Sequence, residues 1–380
     1  MDFFIKHKQK IIIFLLATIT TLILSIPFLS LTKAKNAKNV SKDLQIVTTT
    51  TMLKDLVKHL VGDVSEEENE NKYNKIKYIQ VDSLMGVGID PHNYKTKLSD
   101  RKKIKEADLV VINGLHLEAK MAEAFLLLTN NSFTVVQLDE TNTEVINQEG
   151  KEDERIREGD IKRDEDTHGP DPHIWFDIDI WIKVLQQLKY KLKTILRKDS
   201  RFLPSDVDNL EHNCQTYAHK LKLLHKYVGK KFKALKEQFV SQGKIFILVT
   251  AHDAFSYLAR KYDFELNPIQ GISTQTEASI SDIEELANKL VKNQVKAIFV
   301  ESAFPEGTLD SLKESVKSKG HNIKKSDEEL YADALGSESE EPIEFEDDKD
   351  AQGNPTKYKH STYIGALLHN IHTIEKELKQ

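Results

Sequence analysis

Residues 204–239 read PSDVDNLEHNCQTYAHKLKLLHKYVGKKFKALKEQF. Within them Val207, Leu210, Cys214, Tyr217, Leu221, Leu224, Val228, Phe232, Leu235 and Phe239 recur every three or four residues, the spacing that gathers apolar side chains on one face of an α-helix. Pro204 opens the segment, with Ser205 the expected N-cap. The stripe covers about 33 residues, so the helix is roughly 50 Å long at 1.5 Å per residue. One small domain does not need such a rod. The segment 205–239 is therefore read as a helix linking two lobes.

Both flanks have the rhythm of alternating strands and helices. Before the rod, strands are expected near 44–51, 76–84, 107–114 and 134–138, and helices near 52–61, 100–106, 117–128 and 178–196. After it, strands are expected near 245–250, 264–268 and 297–301, and helices near 254–261, 281–293, 307–319 and 363–378. Alternation of this kind implies a mostly parallel sheet covered by helices on both faces. The expected architecture is α/β with two lobes, 43–204 and 240–380, each a mostly parallel sheet flanked by helices, joined by one long backbone helix. Two charged segments interrupt the pattern. Residues 151–166 hold eight acidic and five basic residues with two isoleucines, and 338–350 hold eight acidic residues and one lysine. Both read as solvated loops.

A chain of 380 residues exceeds what one core usually fills. Lys+Arg 54 against Asp+Glu 60 leaves a net charge of −6, without the basic excess that nucleic-acid binding needs. The single cysteine, Cys214, excludes an intramolecular disulfide and any sulfur-held metal cluster. A metal must then be held by His, Asp or Glu. Residues 11–31 are uncharged and lie between Lys6, Lys8, Lys10 and Lys33, Lys35, Lys38. This is a signal peptide ending near Ala34 or Ala37, or a retained membrane anchor, over residues 1–34. The working part is expected outside the cytoplasm, secreted or anchored at the outer face of the membrane.

Fourteen histidines are present, and context must select among them. The tripeptide Asp-Pro-His occurs twice, at Asp90-Pro91-His92 and Asp171-Pro172-His173. Each proline stiffens the loop before an imidazole, and both loops fall where α/β proteins place ligands, beyond strand ends. A coincidental turn repeat is the alternative. His252 sits at a strand end and Asp333 in an apolar stretch, and either could cap a helix. The intervals of 81, 79 and 81 residues between the four match no local metal motif.

The motifs together resemble a known family. Thr48-Thr49-Thr50-Thr51-Met52, the glycine turn before Asp90-Pro91-His92-Asn93-Tyr94, Asn113-Gly114-Leu115-His116-Leu117-Glu118 and Asp171-Pro172-His173-Ile174-Trp175-Phe176-Asp177 are similar to motifs of the cluster A-I substrate-binding proteins of zinc and manganese ABC transporters. So are Thr250-Ala251-His252-Asp253-Ala254-Phe255, Gly271-Ile272-Ser273-Thr274, Val300-Glu301-Ser302 and Leu330-Tyr331-Ala332-Asp333-Ala334-Leu335-Gly336. The resemblance runs from about Leu44 to Leu378. It implies one metal ion between the lobes, ligated by His92 and His173 from the first and His252 and Asp333 from the second. Three imidazoles and a carboxylate suit Zn²⁺ or Mn²⁺.

The implied role is capture of that ion and delivery to an ABC permease, by a monomer that is not an enzyme and has no nucleic-acid partner. The alternatives are a secreted metallohydrolase, with Glu301 as a carboxylate near a metal-bound water, and a surface adhesin of the same fold. Three departures from the family stand out. No cysteine precedes Cys214, so the protein is expected not to be a lipoprotein. Residues 151–166 contain no histidine where zinc-specific members often carry many. The segments 65–74 and 338–350 are longer than expected.

Overall fold

The computed structural model describes residues 42–379 except 66–71, 127, 129–131, 139–144, 147, 165–167, 306 and 351. The apolar run 11–31 and its expected cleavage region lie outside the described residues. Among the described residues no helix is long and apolar enough to cross a membrane.

The first half opens with β1 (Leu44–Thr48) and α1 (Thr51–Val61), where the Thr50 side chain caps the helix by accepting from the Leu53 amide. There follow β2 (Ile79–Ser83), α2 (Leu98–Glu106), β3 (Leu109–Gly114), the single turn α3 (Ala122–Phe125), β4 (Ser132–Leu138) and β5 (Val145–Ile146). The strands form one sheet in the order β2-β1-β3-β4-β5, parallel except for the last pair. Alternate residues face opposite ways. Leu44, Ile46, Leu109 and Val111 join the main core, while Val47, Val110 and Ile112 pack beneath α2. Gly114, at φ 84°, ends β3 where a Cβ would lie 2.2 Å from the Val136 carbonyl oxygen, so only glycine fits.

Helix α4 (Ile178–Lys198) leads into α5 (Pro204–Ser241), a 38-residue helix of roughly 57 Å. The expected stripe from Val207 to Leu235 is fully buried. Pro204 occupies the first helical turn and Leu203 the cap, so Ser205 is not the N-cap. Proline's missing N–H and fixed φ suit that first position.

The second half contains β6 (Ile247–His252), α6 (Ser256–Tyr262), β7 (Glu265–Gln270), α7 (Ile280–Lys292), β8 (Ala297–Ile298), α8 (Gly307–Ser318) and β9 (Lys324–Lys325). β6 pairs in parallel with β7, and β8 with β9. The Phe299 amide donates to the Val249 carbonyl at 2.9 Å, linking the two pairs. Leu248 and Phe299 join the main core, whereas Val249 and Ile298 pack beneath α7 and α8. The chain closes with a hairpin, β10 (Ile343–Lys349) and β11 (Pro355–Tyr358), and α9 (Tyr363–Leu378), which lies along α5. One continuous core runs from β1 through the α5 stripe to α9, and Leu44–Gln380 form one compact unit.

Three further expectations are corrected. The helix expected at 117–128 is a 3₁₀ turn at Ala119–Met121 followed by α3. Residues 151–164 are not a solvated loop. They make two 3₁₀ turns, bury Ile156 and Ile161 in the main core, and take hydrogen bonds from Gln187 and Tyr190 of α4. The acidic segment 338–350 supplies β10, which buries Phe345 against α5.

Asp348 of β10 is also buried. It accepts from the Tyr358 hydroxyl at 2.6 Å and pairs with Lys220 of α5 at 3.6 Å. Lys220 is 1% exposed and lies over the rings of Tyr73 and Tyr358. Lys72 also meets Asp348, at 3.7 Å, and removing one member of a buried ion pair costs about 3–5 kcal/mol. Asp348→Ala should therefore lower the unfolding free energy in denaturant by about 3–5 kcal/mol. A loss below about 1 kcal/mol, the size of an exposed pair, would contradict the clamp.

Candidate metal centre

His92, His173, His252 and Asp333 come together, and each offers a ligand atom within 4.8 Å of the others. None is more than 3% exposed. His92 Nε2 lies 3.2 Å from His173 Nε2. The Asp333 carboxylate faces all three rings, with Oδ1 3.3 Å from His173 Nε2 and Oδ2 3.3 Å from His252 Nε2 and 3.7 Å from His92 Nε2. His252 Nε2 and Asp333 Oδ1 are buried without a hydrogen-bond partner. Buried polar atoms are rarely left so.

Four different segments deliver these groups. His92 follows the glycine turn after β2, His173 precedes α4, His252 ends β6, and Asp333 lies in the loop after Leu330, which bridges to Glu301 in parallel. Buried Glu118 ties the strand ends of the first half together. It accepts from the Thr49 hydroxyl at 2.5 Å and from the Asn113 and Gly114 amides at 2.9 and 3.2 Å. Asn113 in turn donates to the Pro172 carbonyl at 3.1 Å, which fixes the loop carrying His173. Across the seam the Trp175 indole donates to the Ala332 carbonyl at 2.9 Å, which steadies the loop carrying Asp333.

The two Asp-Pro-His tripeptides make the same turn and use it differently. In each, the aspartate accepts the amide of the histidine two residues on, at 2.8 Å for Asp90 and 3.0 Å for Asp171. Asp171 also meets His173 Nδ1 at 2.7 Å, so Nε2 is left to face the centre. Glu301 does the same for His252. Its Oε2 meets His252 Nδ1 at 2.6 Å, and its Oε1 accepts the Ala251 and His252 amides at 2.7 and 3.0 Å. Carboxylates of this kind fix the tautomer and orientation of a ligating imidazole. The sequence motifs contain Asp171 and Glu301 but do not by themselves reveal this part. For Asp171 the signal was available, two residues before the histidine, whereas Glu301 is brought in only by the pairing of strands.

The electrostatics favour positive charge. Burial disfavours an imidazolium at His173, but Asp171 and Asp333 overcome it and raise its pKa to about 9. At His252 burial is likewise outweighed by Glu301 and Asp333, and the pKa is raised well above the usual range. Burial opposes the Asp333 carboxylate, yet His252 and His173 hold its pKa well below the ordinary value. His92 differs. Burial pushes it down to about 4, against the pull of Asp333 and with the help of the other two rings. With neutral imidazoles the pocket holds three buried carboxylates, Asp171, Glu301 and Asp333. A divalent cation supplies the charge such a cluster lacks.

Comparison with known proteins agrees with this architecture. Residues 46–377 match the family described as zinc-uptake complex component A, periplasmic. The manganese-binding lipoprotein MntA of Bacillus subtilis is 31% identical over 344 residues, covering 90% of this chain and 92% of that protein. The zinc-binding protein TroA of Treponema pallidum is 33% identical over 342 residues, covering 90% of each. The solved structure of the periplasmic zinc-binding protein TroA from Treponema pallidum superposes with a TM-score of 0.67 at 30% identity, over 88% of this chain and 99% of that one.

One expectation falls to these relatives. The Bacillus subtilis protein is a lipoprotein by name, as are relatives from Streptococcus sanguinis and Streptococcus pneumoniae, which overturns the reading of this chain as standing apart from lipoproteins. A cysteine count says which thiols a sequence offers, not how a family is held at a membrane. The one thiol here, Cys214, is buried in α5, where desolvation pushes it up to about 12. The extracytoplasmic placement agrees with the periplasmic description. With the match spanning nearly all of residues 44–380, the chain belongs to the family of the zinc-uptake complex component A, the solute-binding part of metal transporters.

Proposed function

We propose that this chain captures one Zn²⁺ or Mn²⁺ ion with His92, His173, His252 and Asp333 and delivers it to the permease of an ABC transporter. The observation that carries the reading is the convergence of four buried ligand atoms, from four segments of both halves, around a gap in which His252 Nε2 and Asp333 Oδ1 make no hydrogen bond. Imidazole nitrogens and a carboxylate suit both ions, and the relatives divide between a manganese-binding and a zinc-binding name. Both Asp333 oxygens turn towards the centre, so the carboxylate can contribute one donor to a tetrahedral ion or two to an ion of higher coordination.

Binding without catalysis is part of the proposal. A hydrolytic zinc centre keeps three protein ligands and a free base beside the metal-bound water. Here four protein groups converge, and Glu301 is occupied by His252 Nδ1 and two backbone amides. The protein is taken to act as a monomer without a nucleic-acid partner, in keeping with its net charge of −6.

His92→Ala and Asp333→Ala should each weaken binding of Zn²⁺ or Mn²⁺ at least about 100-fold in competition titrations. Undiminished affinity for one equivalent in both variants would sink the assignment. Glu301→Gln removes the charge that orients His252 while keeping its shape. A loss of about 10–100-fold in affinity is expected, and parent-like affinity would show that His252 needs no such partner.

A further inference from the structure

The three imidazoles are not held alike. His173 and His252 each have a buried carboxylate at Nδ1, whereas His92 Nδ1 meets no hydrogen-bond partner among the described residues. A cleft of about 1100 Å³ opens beside the centre, and of the four candidate ligands only His92 lines it. Among the four candidate ligands, His92 is the one an ion in that cleft meets.

The loop carrying His92 is instead held from the opposite wall. Thr274, in the loop after β7, donates its hydroxyl to Asp90 Oδ2 at 2.7 Å. Asn93 Nδ2 donates to Thr274 Oγ1 at 2.9 Å and to Asp90 Oδ2 at 2.8 Å, and Lys120 donates to Asn93 Oδ1. The neighbouring Gln275 Nε2 donates to the carbonyl oxygen of His92 itself at 3.1 Å. Asp90 uses its other oxygen to hold the His92 amide. Four hydrogen bonds thus join residues 274–275 to residues 90–93, one of them, from Asn93 Nδ2 to the Thr274 carbonyl, at 3.4 Å, and the bond from Gln275 ends on the ligand that borders the cleft.

We infer that Thr274 and Gln275 are positioning residues that latch His92 over the ion, so that breaking this polar latch is the step that frees the metal. The latch rests on the ligand set proposed above. It is built from exposed and half-exposed side chains, whose hydrogen bonds water can replace one at a time, each at a modest net cost. A permease contacting the cleft rim can therefore open it without unfolding either half. His173 and His252, clamped by buried carboxylates, stay in place and keep the site ready for the next ion.

The test uses the full chain loaded with Zn²⁺ alone and mixed with excess chelator, with release followed by stopped flow. Thr274→Val combined with Gln275→Ala should release the ion at least about tenfold faster than the parent while still binding one equivalent, since several hydrogen bonds are lost. The Co²⁺-loaded variant should keep the parent's visible absorption, because the ligands are unchanged. Thr274→Ser alone, which retains the hydroxyl, should release at the parent's rate within about twofold. Gln275→Ala alone should give a several-fold acceleration, and serves where the double variant does not fold. Release from either accelerated variant at the parent's rate would overturn the latch. A parent that binds no equivalent of Zn²⁺ or Mn²⁺ would instead overturn the ligand set on which the latch depends.

Discussion

Both halves of this molecule bury their apolar faces against a single helix. The α5 stripe from Val207 to Leu235 is continuous with Leu44 and Ile46 of the first sheet, with Leu248 and Phe299 of the second, and with α9. Each buried Leu or Phe contributes about 1.5–3 kcal/mol, so neither half can leave the rod without exposing a large part of its own core. The loops at the ends of the first sheet and of the paired strands of the second half therefore face each other at a separation set by packing. At the seam apolar and polar contacts are mixed: the Phe176 and Phe255 rings meet with centroids 4.4 Å apart, and the Tyr257 hydroxyl donates to the Asp171 carbonyl at 2.9 Å.

The seam concentrates charge. Asp171, Glu301 and Asp333 are each 3% exposed or less, and buried carboxylates persist only when cations or donors answer them. Backbone amides and imidazole Nδ1 atoms answer Asp171 and Glu301. Asp333 is answered by the His173 and His252 rings, and a bound cation answers it more fully. The duplicated Asp-Pro-His shows how one local motif serves two purposes. Asp171 turns inward to orient His173, while Asp90 turns its second oxygen to Thr274 on the opposite wall. One copy thus orients its own histidine, while the other ties its loop to the opposite wall.

Much of this was legible in the sequence, for identifiable reasons. The α5 stripe is long enough that periodicity alone reveals it, and α9 at Tyr363–Leu378 falls where its pattern places it. His92 and His173 stand out because proline and aspartate precede both. His252 and Asp333 gain meaning only through the resemblance of long motifs, since ligands some 80 residues apart are joined by topology rather than by local chemistry. The charged segments misled because composition averages over a window. Ile156, Ile161 and Phe345 are single anchors among many charges, yet each reaches the main core. Lys220 was equally hidden, since a lysine within an apolar helix face reads as surface until Asp348 and two tyrosine rings enclose it. Gln275 carries no signal of its own, because its role depends on a backbone carbonyl 183 residues earlier in the chain.

Everything above turns on one ion held among His92, His173, His252 and Asp333. Anomalous diffraction from crystals of the Zn²⁺- or Mn²⁺-loaded protein addresses it directly. A single strong peak is expected, bounded by the Nε2 atoms of the three histidines and a carboxylate oxygen of Asp333, at about 2.0–2.2 Å for zinc. A peak elsewhere on the molecule, or one ligated by fewer than three of these four side chains, would contradict it.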